Sequence, residues 1–414
     1  MQAEETTAAP LEGIRVLDFS IMLAGPYCAR LLADVGAEVI KIEPPEGDDM
    51  RLRTPLREGH SAYFGQLNAG KRSLALDLKN PEAIKLVHRL VAETDIVVEN
   101  FRPGVMNRLG LGYEALREIN PRLIYCSISG YGQSGPDAER AAYAMIVHAE
   151  SGFDRSLMRY AGDRDRPAAG AIFVADVLGG IFGYSAIQTA LVQRARTGKG
   201  QRIDVALMDC MLNLLVYELQ EAQFPIRASR PTYGPVRARD GDILIAPITP
   251  RNFTALCEVT GQREELAENP LFNTVPARGA NWTAMMQVIG KWTERRTVDE
   301  CIAALDAAGV PCARYRDPGS ALTDPHLLER GVFATISDAA GEFVGVNAPW
   351  KMSGAETSIR REIPAIGAHR DEVLSRALGL SPEAIAGFAG SGAFGKLREK
   401  TTEKQRDLAR GQPG

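Results

Sequence analysis

IRVLDF (14–19), SIMLAGPYCARLL (20–32) and EVIKIE (38–43) decide how this chain folds. The first and third are short runs rich in Val, Ile and Leu. The second opens as a loop, SIMLAGP, and continues in a helical pattern through Leu32. Strand, helix and strand in succession make one parallel crossover unit. The pattern then repeats outward. SLALDL (73–78), DIVVEN (95–100) and RLIYCSIS (122–129) read as further strands. PEAIKLVHRLVAET (81–94) reads as a helix with proline in its first turn, where the missing N–H costs nothing. Continuous apolar strands separated by helices imply an α/β fold whose parallel sheet is covered on both faces. Ligands of such sheets sit at the carboxyl ends of the strands. The loops SIMLAGP (20–26), EPPEGDDMR (43–51), ENFRPG (99–104) and SGYGQSGP (129–136) are therefore expected to share one crevice.

Further along, a long helix is expected over 177–196, stopped by TGKG, and residues 201–224 supply a strand and another helix. Residues 1–224 thus form the N-terminal part of a large domain. After Pro225 the character changes: RASRPTYGPVRARDGD (227–242) is rich in Arg, Pro and Gly. DILIAP, NFTALCEVTG, NWTAMMQVIGKWTERR and TVDECIAALDAAG then give a smaller α/β domain over 225–325. A return segment, 326–391, completes the large domain. The charged stretch 392–414 lacks an apolar stripe and is expected to be a flexible tail.

The 414 residues are 45% hydrophobic and 24% charged, as in a soluble globular protein of two or three domains. With 48 Lys+Arg against 52 Asp+Glu, the formal charge of −4 leaves no global basic surface for nucleic acid or an anionic membrane. Six cysteines without a C-x-x-C pair read as free thiols of a reducing cytoplasm, and five scattered histidines speak against a metal site. The acidic start, MQAEETTAAP, is unlike a secretory signal. One stretch imitates a membrane span: from Ala168 to Val192 the single charge is Asp176. A lone carboxylate is costly in lipid, so burial inside the protein is the expected arrangement.

Asp176 itself sits just ahead of the expected helix, where the macrodipole and free N–H groups favour a carboxylate. It serves there either as a simple cap or as a nucleophile, and the apolar, glycine-bearing surroundings GAIFVADVLGG (170–180) favour the second reading. GYGQSG (130–135) matches G-x-G-x-x-G in letters and admits a nicotinamide-dependent oxidoreductase, but it follows the fifth strand and runs straight into Pro136. Lys71, Arg72, Arg102 and Arg108 are cations on or beside the expected crevice, suited to phosphates or equally to solvated surface. His148 falls in the helical pattern AYAMIVHAESG at a possible pocket edge.

These residues together resemble the family III CoA-transferases, the group that includes formyl-CoA and carnitine CoA-transferases. The resemblance runs through LEGIRVLDFS, AGPYCARLLADVGAEVIKIEPPEGDDMR, NAGKRSLALDLKNPE, DIVVENFRPGVMNRLGLGYEAL and ISGYGQSGP. It continues in GAIFVADVLGG and TGKGQRIDVALMDCMLNLL and resumes at DPHLLERGVF and GAHRDEVL. It implies a large Rossmann-like parallel-sheet domain, a smaller α/β domain, and an interlocked homodimer. By the same resemblance Asp176 is the catalytic nucleophile, and transfer proceeds through aspartyl anhydride and aspartyl–CoA thioester intermediates. The substrates implied are an acyl-CoA and a small carboxylic acid, with no permanently bound cofactor. Lys71, Arg72, Asn100, Phe101 and Arg108 match the CoA-contacting segments. Leu23, Ala24, Tyr143, His148, Gly179 and Gly180 would line the substrate pocket, with the N–H groups near Gly179 and Gly180 facing developing oxyanions.

Two departures refine the expectation. The racemase branch of the same fold, which epimerises 2-methylacyl-CoA esters, needs a His followed by Asp where this chain has Tyr143 and Ala144, so transfer is favoured. The formyl-CoA/oxalate enzymes carry Gln where this chain has Leu23. Arg227, Arg230, Arg237 and Arg239 offer partners for a distal carboxylate, and succinyl-CoA or another dicarboxyl-CoA is the donor expected from them.

Overall fold

A computed structural model describes residues 9–161, 165–224 and 231–395. It divides into two compact units, one of 1–216 with 325–414 and the other of Tyr217–Asp324.

The large unit is built on six parallel strands: β1 (Arg15–Asp18), β2 (Glu38–Glu43), β3 (Arg72–Ala75), β4 (Ile96–Glu99), β5 (Ile124–Ser129) and β6 (Gln201–Ala206). Their spatial order is β3-β2-β1-β4-β5-β6, the doubly wound arrangement in which strand order reverses between β1 and β4. Alternate side chains of each strand feed opposite faces. Val16, Val39, Val98, Cys126 and Ile128 lie on one face with helices α1 (Ala24–Asp34), α3 (Ala144–Ser151), α4 (Val174–Thr197) and α5 (Leu207–Leu214). Leu17, Ile40, Leu74, Val97 and Tyr125 face the other way, against α2 (Pro81–Ala92) and the return helices Arg370–Leu378 and Pro382–Gly390. Asn80 caps α2 by accepting the Glu82 N–H, and Pro81 is its first residue.

Three expectations are corrected. First, α4 begins at Val174, so Asp176 is the third residue of its first turn and does not precede the helix. Second, α4 is long and apolar enough to cross a membrane, but only 33% of its most apolar window is buried. Residues 168–173 are exposed, and the buried side of α4 is a single stripe through Ala175, Gly179, Gly180, Gly183, Ile187 and Ala190. Ile172, Phe173, Val177, Ile181 and Phe182 stay exposed on this chain. Arg194, at the other end, is buried and paired with Asp95 at 2.9 Å. Third, the tail does not begin at residue 392. Ala393 and Phe394 are buried in the second core, and the Ala393 carbonyl accepts the Asp77 N–H; 396–414 lie outside the described residues.

The small unit has a three-stranded antiparallel sheet made of Val236–Arg237, Asp242–Ile245 and Cys312–Arg314. Its own core gathers Phe253, Leu256, Trp282, Met285, Ile289 and Trp292. A full capping box at Thr297 and Glu300 starts the helix Val298–Ala307.

Beneath the carboxyl ends of β1 and β2 lies a chain of buried ion pairs. Lys71 meets Asp18 at 2.7 Å, Lys41 meets Asp48 at 2.9 Å, and Arg51 grips Glu43 with two nitrogens at 2.7 and 2.9 Å. Removing one member of a buried pair leaves the other charged and unpaired. Lys71→Met is therefore expected to cost about 3–5 kcal/mol of stability in urea unfolding. Unchanged stability with weakened CoA binding would instead give Lys71 a ligand role.

Candidate active site

The strand reversal between β1 and β4 opens the crevice in which ligands of this architecture bind. Asn100, just after β4, holds its two sides together. Its side-chain carbonyl accepts the Ile21 N–H at 2.8 Å and its amide donates to the Ile21 carbonyl at 2.7 Å. The SIMLAGP loop is thereby fixed to the NF turn. The turn itself is set by Glu99, which accepts the Phe101 N–H at 2.9 Å and whose carboxyl is pushed up to about 7, chiefly by burial. Glu99 also lines a polar pocket of about 60 Å³ with Arg102, Asn107, Tyr125, Ser127 and Arg202.

Asp176 stands in the first turn of α4, partly buried, and burial lifts its carboxyl to about 6. The helix lacks a side-chain cap at Phe173. The neutral ring of His148, on α3, takes that part: its Nε2 accepts the Ala175 N–H at 3.0 Å. Tyr63, on the short helix Ala62–Asn68, is partly buried and feels the charge of the same carboxylate. Burial, and after it the charge of Asp176, push its phenol up to about 12. Tyr63 was not singled out from sequence, since HSAYFGQLN carries no motif; only the folding of this helix against the crevice reveals it.

The remaining expected site residues divide. Leu23 and Ala24 lie buried at the start of α1. Gly179 and Gly180 have a packing role and are not oxyanion donors. A Cβ on Gly179 would come within 2.4 Å of Leu207, and one on Gly180 within 2.8 Å of the Ala24 carbonyl. Their N–H groups lie beyond the first turn, inside the α-helical ladder. Tyr143 precedes α3 with its ring largely exposed. Phe101 packs against the second core, and Arg108 is exposed on the short helix Val105–Arg108.

Lys71 is corrected as a CoA contact, while Arg72 faces a different part of the fold. Lys71 is fully buried and its three donors are spent on Asp18 (2.7 Å), Asn68 (2.9 Å) and the Pro26 carbonyl (3.0 Å). An ammonium so satisfied has nothing left for a phosphate. Arg72 begins β3 at the amino edge of the sheet, bound to Glu372 and Glu38. It lines a separate cleft of about 750 Å³ with Arg15, Arg360, Arg361, His369 and Arg376. The residues adjacent in sequence thus point to opposite ends of the architecture.

GYGQSG does not open a helix as a dinucleotide-binding loop does. The next helix starts only at Ala144, and the loop is tied down by the Gln133 N–H to Asp204 at 2.9 Å. Of the four arginines expected to meet a distal carboxylate, Arg227 and Arg230 lie outside the described residues. Arg237 and Arg239 are exposed in the small unit, in ion pairs with Asp242 (3.4 Å) and Glu300 (3.7 Å). Among the described residues no cluster of His, Cys, Asp and Glu is arranged to hold a metal.

Residues 11–370 match the family described as CoA-transferase family III. The chain is 37% identical to a succinate–glutarate CoA-transferase of Agrobacterium fabrum, over 88% of its own length and 95% of the relative. It is also 37% identical to an acetyl-CoA:oxalate CoA-transferase of Acetobacter aceti, over 84% and 92%. The crystal structure of a CAIB/BAIF family protein from Brucella suis superposes with a TM-score of 0.78 at 36% identity, covering 89% of this chain and all (100%) of that one.

A carboxyl raised from 3.8 to about 6 is one whose ionised form the folded state disfavours. The penalty is absent below about pH 3.8, where both states are protonated, and complete above about pH 6. Asp176→Asn is accordingly expected to be more stable than the parent by about 1–3 kcal/mol at pH 8, with the gain vanishing near pH 4. Unfolding curves at the two pH values check this; an equal gain at both would mean that desolvation of the charge is not the cause.

Proposed function

The chain belongs to the family III CoA-transferases, and from that premise we propose that Asp176 is the nucleophile that carries CoA from a dicarboxyl-CoA to a dicarboxylic acid. The observation that carries this reading is the partly buried carboxylate in the first turn of α4, raised to about 6 yet largely ionised at neutral pH. Its oxygen attacks the acyl carbon of the donor thioester, the C–S bond breaks, and CoA leaves as the thiolate. The thiolate attacks the aspartyl carbonyl of the resulting anhydride, releasing the donor acid and leaving an aspartyl–CoA thioester. The acceptor carboxylate then attacks that thioester, and the expelled thiolate takes the acceptor's acyl carbon, freeing Asp176. Every step exchanges one acyl oxygen or sulfur for another, so no proton or electron is gained or lost overall. The partial burial that raises the carboxyl also helps to keep water from the anhydride.

Proton-transfer racemisation is less well served. Tyr143 and Ala144 supply no acid–base pair, and the Nε2 of His148 is occupied by the Ala175 N–H. Both named relatives act on dicarboxylic acids by their descriptions, which supports such an acid as acceptor here. The six unpaired cysteines, five of them buried, suit a reducing compartment.

With hydroxylamine present, addition of succinyl-CoA is expected to leave a hydroxamate on Asp176, located by peptide mass spectrometry. Asp176→Ala should lower exchange by about 10⁴-fold or more. Because the nucleophile must be ionised, kcat/KM should fall by at least about tenfold per pH unit below about 6. Exchange that survives in Asp176→Ala would overturn the reading. Across a panel of acids, dicarboxylates of two to five carbons are expected to exceed the matching monocarboxylates in kcat/KM by about tenfold or more; indifference to the second carboxylate would remove the substrate assignment.

A further inference from the structure

We propose that His148 is a positioning residue for the transfer reaction, its neutral imidazole capping α4 from a neighbouring helix and so fixing the turn that presents Asp176. The inference rests on the assignment of Asp176 as nucleophile.

A helix leaves its first N–H groups without intrahelical partners, and a side chain from the residue before it normally accepts one of them. α4 has Phe173 in that place, which has nothing to offer. The acceptor comes instead from α3. His148 is 3% exposed, and its Nε2 lies 3.0 Å from the backbone nitrogen of Ala175, the residue before Asp176. Accepting that hydrogen bond puts the ring proton on Nδ1. The ring is also pinned from the side by Phe153, with centroids 5.2 Å apart. Three contacts therefore hold the first two turns of α4: the His148 cap, Leu207 against Gly179, and the Ala24 carbonyl beneath Gly180. The first is polar and reversible, and it is the one closest in sequence to Asp176.

The cap works only with neutral imidazole. Protonation would set an N–H against an N–H and release the turn. Burial keeps the ring below its usual range, against the opposing pull of Asp154 on the helix that follows α3. The other acids on the elements packed around it are Glu150 on α3, which is bound to Arg140 and Tyr131, Asp176 on α4, and Asp209, exposed on α5. On acidification, exchange would therefore be lost twice over, through protonation of Asp176 below about pH 6 and, at a pH lower than an ordinary imidazole titrates, through loss of the cap.

The test compares His148→Leu and His148→Gln with the parent chain, using hydroxamate formation on Asp176 from succinyl-CoA as the readout. Leu fills the space without accepting a hydrogen bond, and trapping should slow about tenfold with little change in KM. Gln offers an amide oxygen that accepts but does not titrate, so it should restore most of the rate. Its acid limb should fall with a slope of one where the parent's steepens toward two. Thermal unfolding shows that each variant is folded. Trapping by the Leu variant at the parent rate overturns the proposal, and so does a folded Gln variant as slow as the Leu variant. A parent chain that gives no hydroxamate strikes the nucleophile reading itself. Amide exchange at Ala175 then decides the cap: faster in the Leu variant and protected in the Gln variant sustains it, and equal exchange in all three removes it.

Discussion

Lys71 has no solvent to share its charge with, so Asp18 must carry it, and much of the crevice follows from that requirement. A buried ammonium is tolerated only where its donors are all satisfied and an opposite charge is close. Asp18 supplies the charge at 2.7 Å, while Asn68 and the Pro26 carbonyl take the remaining donors. Those partners come from the end of β1, the helix before β3 and the first turn of α1. One ion pair thus fixes where β1 stops and α1 starts. Lys41 extends the same logic outward, donating to the Ser20 carbonyl at 2.9 Å and pairing with Asp48. Asn100 completes it by tying Ile21 to the loop after β4. The walls of the crevice are therefore set by buried polar groups that have only one satisfactory arrangement.

Against that fixed wall, α4 can approach only because of its glycines. Gly180 lies where a Cβ would strike the Ala24 carbonyl, and Gly179 where one would strike Leu207. Close packing brings the first turn of α4, and Asp176 with it, beside the crevice. The same closeness removes water from the carboxylate and raises it to about 6. Such a group opposes folding slightly and serves chemistry better, a trade found wherever a reactive charge is held ready in a dry site.

The sheet was legible because its strands are continuous apolar runs, which neither amphipathic helices nor loops produce. All five expected strands of the first 130 residues are present, and DIVVEN and EVIKIE need almost no adjustment. Asp176 was legible for a related reason: a single charge in a long apolar stretch must be exceptional. The neighbouring cations were not. Lys71 and Arg72 are adjacent letters, but Lys71 lies just before β3 and Arg72 begins it, and only the partners that each meets in the fold decide which is buried. The glycines after Asp176 are ambiguous in sequence likewise, because closeness to a ligand and closeness to another helix require the same residue.

What the sequence determined by itself is the alternation of strand and helix, the family, and the identity of the unusual carboxylate. These depend on local periodicity and residue chemistry, which survive without knowledge of neighbours. The tertiary structure alone decided that Lys71 braces β1 through Asp18, that the charge of Asp176 reaches Tyr63, and that His148 caps the helix bearing it. Each of those roles is a relation between segments separated by 27 residues or more. Burial and hydrogen bonding across such distances arise only when the chain closes on itself.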